Sequence, residues 1–207
     1  MVETKRNSTA KEPFSAGWEA ISCNTVSFRS AVSSEQVSPV LVEARVRGLA
    51  KSLPATSICR SVARTFTVGT VSDEALRLIS VTEGSFYEAM KVARPGNRIG
   101  DIGFAVESFV ISNGFSVVKD FVGHGLGKDL HEEPEIPNYG RAGRGARLYP
   151  GMTLAIEPMV NAGSYGVRVL SDGWTVETSD GALSAHYENS ILITDNDPII
   201  LTDVNVK

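Results

Sequence analysis

Apolar and polar positions fall into regular patterns only after about residue 60. Arg64 to Val68 reads Arg-Thr-Phe-Thr-Val, β-branched and aromatic, which predicts a short strand. Ser72 then offers a helix N-cap, with Asp73 and Glu74 in the first turn. Ala75, Leu76, Ile79, Phe86, Met90 and Val92 recur in a helical pattern as far as Ala93. Gly84 interrupts that helix at some cost, and Arg94-Pro95-Gly96 stops it. A second helix is expected from Ile102 to Ser112, with Val106, Phe109 and Val110 inward and Gly114 just past its end. Strand-like runs follow at Phe115–Val118, Thr153–Ile156, Trp174–Thr178, Ser184–Tyr187 and Ser190–Thr194. Asp172-Gly173 and Asp180-Gly181 mark turns between them. Helices first and strands afterwards predict an α+β fold, with the helices packed on an antiparallel sheet.

The first 61 residues have another character. They hold eleven Ser, no Asp and no His, and eight Lys and Arg against five Glu. Val37–Val46 has strand composition, but Pro39 falls inside it. We therefore divide the chain into an unmatched segment, 1–61, expected to be disordered in part, and a patterned unit, 62–207.

Composition narrows the function classes. The chain has 207 residues, 42% hydrophobic and 21% charged, which is ordinary globular material. A net charge of -4 gives no electrostatic case for sequence-specific nucleic-acid binding. No apolar run approaches the length of a membrane span, and no apolar signal core follows the polar start Met1–Glu12. Two scattered cysteines, Cys23 and Cys59, read as free thiols in a reducing cytoplasm.

The candidate chemistry lies in the second half. His124 sits in Val-Gly-His-Gly-Leu-Gly, where the glycines allow a sharp turn and leave room beside the imidazole. His131 follows in His-Glu-Glu-Pro. Either is also compatible with an ordinary surface or core histidine. Glu157, in Leu-Ala-Ile-Glu-Pro-Met-Val, and Glu188, ahead of Asn-Ser-Ile-Leu-Ile, are carboxylates set among apolar residues. Burying such a charge is expensive unless it is paired or bound to a cation; the alternative is that each points to solvent. One imidazole with two carboxylates suits a divalent first-row metal. The stretch Gly140–Gly145, with Arg141 and Arg144, lacks the Gly-Lys-Ser/Thr of a phosphate loop and reads as a mobile surface loop. Trp174 reads as packing unless it lines a pocket.

Several segments together resemble type I methionine aminopeptidases. They are Gly123-His124-Gly125-Leu126-Gly127, His131-Glu132-Glu133-Pro134, Pro150-Gly151-Met152, Ile156-Glu157-Pro158-Met159-Val160-Asn161-Ala162-Gly163, Asp172-Gly173-Trp174-Thr175-Val176 and Leu183-Ser184-Ala185-His186-Tyr187-Glu188. They stand in the family's order and spacing. No long insertion separates the His131 region from Glu157, which favours type I over type II. The resemblance implies the pita-bread fold, here incomplete, with helices on a curved antiparallel sheet. It implies removal of initiator methionine from nascent polypeptides in the cytoplasm, near the ribosome, by a monomer. It implies a pair of divalent ions (Co, Mn, Fe or Zn) with His124, Glu157 and Glu188 as ligands. Glu157 would move the proton in catalysis, His131 would contact the substrate amide, and Trp174 would stand near the methionine pocket.

The departures are as specific as the matches. The family holds its metals with two further Asp, the second in a Gly-Asp pair before the Arg-Thr-Phe strand. Arg60 and Ser61 occupy those positions here, and no Asp precedes Asp73. Three of five ligands remain, so the expectation is one metal or none. Two origins fit: an altered reading frame over residues 1–61, or a diverged, non-catalytic homologue that binds peptides or ribosomes. Half a pita-bread fold is also expected to expose an apolar face.

Overall fold

Residues 58–67 and 69–203, with the backbone of 40–46, are described by the structure, a computed structural model. The elements are β1 (Val40–Val46), β2 (Ser61–Thr67), α1 (Asp73–Val92), α2 (Ile99–Ser112), β3 (Ser116–Val117), β4 (Gly123–Gly125), β5 (Glu132–Ile136), β6 (Thr153–Ile156), β7 (Met159–Asn161), β8 (Val167–Val169), β9 (Val176–Thr178), β10 (Ser184–His186), β11 (Glu188–Leu192) and β12 (Ile199–Ile200). A seven-stranded antiparallel sheet runs β1-β2-β11-β6-β4-β5, with β12 added on β11. A second sheet runs β10-β7-β3, and β8-β9 form a hairpin. The expected α+β layout holds: α1 packs on β10 and β7, and α2 on β3 and β5. Among the described residues, no helix is long and apolar enough to cross a membrane.

Helix α1 begins where its cap predicts. Ser72 Oγ accepts from the Ala75 N–H, and the acidic pair Asp73 and Glu74 stands in the first turn. Its buried face is Ala75, Leu78, Val81, Thr82, Ser85, Phe86 and Ala89. Leu76, expected in the apolar pattern, is 49% exposed, because one residue rotates the side chain about 100° off that face. Gly84 is explained by its neighbour: a Cβ there would lie 3.0 Å from the Phe109 ring of α2.

Helix α2 starts three residues before the expected Ile102. The Asp101 carboxylate accepts from the Arg98 N–H at 2.7 Å and from the Gly143 N–H at 2.7 Å, so one side chain caps the helix and holds the Gly140–Gly145 stretch against it. That stretch lies on the surface as expected, tied to α2 at Gly143. Gly100 and Gly103, which argue against a helix in sequence, are there for close approach. A Cβ on Gly103 would stand 2.3 Å from the Tyr139 carbonyl oxygen and 2.7 Å from that of Pro137. Gly103→Ala therefore must displace Pro137–Tyr139. We expect it to cost about 1–3 kcal/mol in urea unfolding; unchanged stability would show that the segment yields freely.

The core is one cluster between the helices and the sheets. Leu78, Phe86, Ile102, Val106 and Val110 from the helices meet Leu154, Ile156, Val160 and Ile191 from the strands. Phe109, expected inward, is partly buried at its edge. Cys59 is a free thiol donating to the Lys128 carbonyl; Cys23 lies outside the described residues. The expected disorder of 1–61 falls mostly on residues outside those described, and Val40–Val46 form a strand paired with β2. Phe66, 50% exposed, lines a groove between β2, α1 and β10 together with Arg64, Glu83 and Tyr187.

Candidate metal centre

Three adjacent strands of the large sheet supply the site. His124 lies on β4, paired with Ala155 of β6. Glu157 follows the last residue of β6, and Glu188 opens β11, whose Asn189 pairs with Ile156. Sheet pairing thus brings together residues up to 64 positions apart in sequence. His124 sits on a strand rather than the sharp turn expected from its glycines. Those glycines serve close packing: a Cβ on Gly123 would lie 2.2 Å from the Ala155 oxygen, and one on Gly125 2.2 Å from the Glu133 oxygen. Strand β5, which carries Pro134, is at the sheet's edge, where a missing N–H is tolerated.

His124, Glu157 and Glu188 each offer a ligand atom, and these atoms lie within 4.8 Å of one another. Among the described residues this is the one such group of His, Cys, Asp or Glu. His124 Nδ1 faces the Gly125 carbonyl oxygen at 2.9 Å. With Nδ1–H donating there, the Nε2 lone pair turns towards Glu157 Oε1, 3.5 Å away. The other Glu157 oxygen lies 3.6 Å from His186 Nε2. The Asn138 side-chain amide donates to the Glu157 main-chain carbonyl at 3.0 Å, and Asn138 follows β5 on the segment packed against Gly103. The hydroxyl of Ser61 donates to Glu188 Oε1.

Burial dominates the electrostatics. It pushes Glu157 up to about 8. Burial, and then the neighbouring Glu157 charge, push Glu188 up to about 7, against the easing influence of His186, the Ser61 hydroxyl and Arg64. Burial lowers His124, opposed by its bond to Gly125 and aided by nearby His131. Burial also lowers His186. One buried and one largely buried carboxylate beside an imidazole lowered by burial form a donor set suited to a divalent cation.

The donor set fits one such ion. It does not fit the pair implied by the resemblance: three of the five ligands are present among the described residues, and Ser61 stands where an Asp would. His131 lies beside the group, exposed, its ring centroid 4.2 Å from that of His124. Trp174 is half-buried in the β8–β9 turn, where its N–H and that of Thr175 donate to Asp172. Sequence reasoning missed His186 and Asn138 as neighbours of Glu157. The His-Tyr-Glu run was the available signal for His186, since β10 and β11 are separated by Tyr187 alone.

The comparisons agree with this architecture. A methionine aminopeptidase of Clostridium perfringens is 59% identical over 140 residues, covering 68% of this chain and 56% of that protein. That of Escherichia coli is 46% identical over 137 residues, covering 66% and 52%. The crystal structure of the Thermotoga maritima methionine aminopeptidase matches with a TM-score of 0.69 at 39% identity, covering 78% of this chain and 73% of that one. That from Rickettsia prowazekii gives 0.68 at 41%, covering 70% and 60%. These likenesses show the pita-bread fold, and this chain spans a little over half the length of the curated relatives it matches. The model of metallopeptidase family M24 matches residues 53–195, well over half of the sequence, and the chain belongs to that family.

Proposed function

We propose that this chain carries a metal-dependent aminopeptidase site that removes N-terminal methionine from polypeptides. The observation that supports this most is the convergence of His124, Glu157 and Glu188 at the centre of the sheet. The relatives named above are aminopeptidases, which favours a peptidase over a non-catalytic binding factor. In this reading His124, Glu157 and Glu188 hold one divalent ion, with Mn, Fe, Co or Zn all suited to an imidazole and two carboxylates. Such an ion supplies Lewis acidity, making water nucleophilic near neutral pH and polarising a carbonyl. Glu157, pushed up to about 8, can hold a proton near neutral pH and pass it to a leaving amine. In this reading His131, exposed beside His124, donates to the substrate's peptide group. The resemblance assigns Trp174 to the methionine side of the site. The substrates are nascent-chain N-termini in the cytoplasm, met at the ribosome by a monomer.

The test is hydrolysis of a Met-Ala-Ser peptide by the full chain, with metal analysis of the same sample. We expect one divalent ion per chain and release of methionine. His131→Ala should lower kcat by about 100-fold or more while leaving cation affinity in place. A sample that binds no ion and releases no methionine would refute the reading.

A further inference from the structure

Ser61 is no ligand, yet it touches one. Its hydroxyl donates to Glu188 Oε1, and its main chain is fixed independently of that contact. The Ser61 N–H donates to Ser190 Oγ at 2.8 Å, and the Ser190 hydroxyl donates to the Ser61 carbonyl at 3.0 Å. Both serines are buried, at 6% and 0% exposure. The Ser190 side chain thus clamps the first residue of β2 at the point where regular β2–β11 pairing, through Glu188↔Ala63 and Asn189↔Val62, ends. The backbone of Glu188 is held by the same pairing. Its side-chain torsions are what remain free, and the Ser61 hydroxyl restrains their far end. The carboxylate then stands between a fixed donor at Ser61 and the ligand atoms of His124 and Glu157.

We propose that Ser61, clamped by Ser190, is a positioning residue. It takes one lone pair of Glu188 Oε1 and so presents the rest of that carboxylate to a single divalent cation in a preset orientation. The inference rests on the cation site proposed above and adds to it the residue that sets its affinity. Hydrogen-bond partners of metal ligands commonly carry a 10- to 100-fold share of metal affinity.

The experiment is calorimetric titration of the full chain, stripped of metal, with Mn(II). Wild type should bind one ion. Ser61→Ala should still bind one, about 10- to 100-fold more weakly. Ser61→Thr, which keeps the hydroxyl, should return to near the wild-type affinity; a general loss of structure would not be rescued in this way. If Ser61→Ala does not fold, Ser190→Ala frees the Ser61 main chain while leaving its hydroxyl, and should weaken binding in the same direction. Equal affinity in wild type and the alanine variants overturns the role of Ser61 and leaves the cation site standing. No Mn(II) uptake by wild type overturns both.

Discussion

Glu188→Ala abolishes divalent-cation binding, to beyond 100-fold weaker than wild type, and with it any release of methionine. The reason is the absence of a substitute. Among the described residues, His124, Glu157 and Glu188 are the one group whose ligand atoms all lie within 4.8 Å of one another. Removing Glu188 leaves that group with one imidazole and one carboxylate, and His186 faces the other oxygen of Glu157 and not the shared position, so too few donors remain to compete with hydration for a first-row cation. The backbone cannot bring in another residue, since Glu188 pairs with Ala63 on one side and the next residue pairs with Ile156 on the other. The ladder also survives the substitution, so far-UV circular dichroism should match wild type. Calorimetry with Mn(II) or Co(II) reads the outcome. A wild-type isotherm from the variant would show that the cation, if it binds, binds elsewhere.

Much of this was legible in the sequence, and the limits have physical causes. α1 follows from Ser72 and its acidic first turn, and its end from Pro95-Gly96. β6 follows from four consecutive apolar or β-branched residues, all buried. The three-residue strands β4 and β7 were hidden because they are too short for a period-2 pattern, and glycines occupy two of three positions in β4. β5 was hidden by Pro134, which signals a break in a central strand but is allowed at an edge. The start of α2 was hidden by Gly100 and Gly103, whose low helix propensity is overridden by the close approach of the 137–144 segment. Of the site, the residue types and the motifs pointed to His124, Glu157 and Glu188. The supporting contacts did not show, because Ser61 on Glu188, Asn138 on the Glu157 carbonyl and His186 on the Glu157 carboxylate arise from pairing between distant strands. A serine or an asparagine carries no local mark of such a role. Conversely, the Ser found where the resemblance calls for Asp was readable in sequence, and the structure shows its consequence: a neutral donor, in place of a charge, against Glu188.

Glu157→Gln should stabilise the metal-free chain, and by an amount that grows with pH. The folded state pushes Glu157 from an ordinary 4.5 up to about 8. Below pH 4.5 the carboxyl is neutral in both folded and unfolded chains, so wild type and Gln variant should be alike. As pH rises from there, the unfolded chain releases its proton while the fold retains it, and unfolding is favoured progressively. The stability carried by the neutral carboxyl is fully lost once pH passes about 8. At one pK unit per ~1.4 kcal/mol, the full difference is roughly 3–5 kcal/mol in favour of the variant above that pH. The buried histidines are lowered in both proteins, so their opposing effect at acid pH cancels in the comparison. A second gain adds in the same direction, because removing the Glu157 charge also removes the second largest influence raising Glu188. Urea unfolding of both proteins in a chelator, at pH about 4.5 and about 8, measures the difference. A constant difference at the two pH values would mean that Glu157 is not buried as a neutral acid. Adding Mn(II) should reverse the order: wild type gains stability by binding, while the variant, having lost an ionisable ligand, gains little. The chain thus gives up metal-free stability at neutral pH to keep a carboxylate where a cation can use it, and the sign of the Mn(II) effect separates a site held for binding from a charge that is merely tolerated.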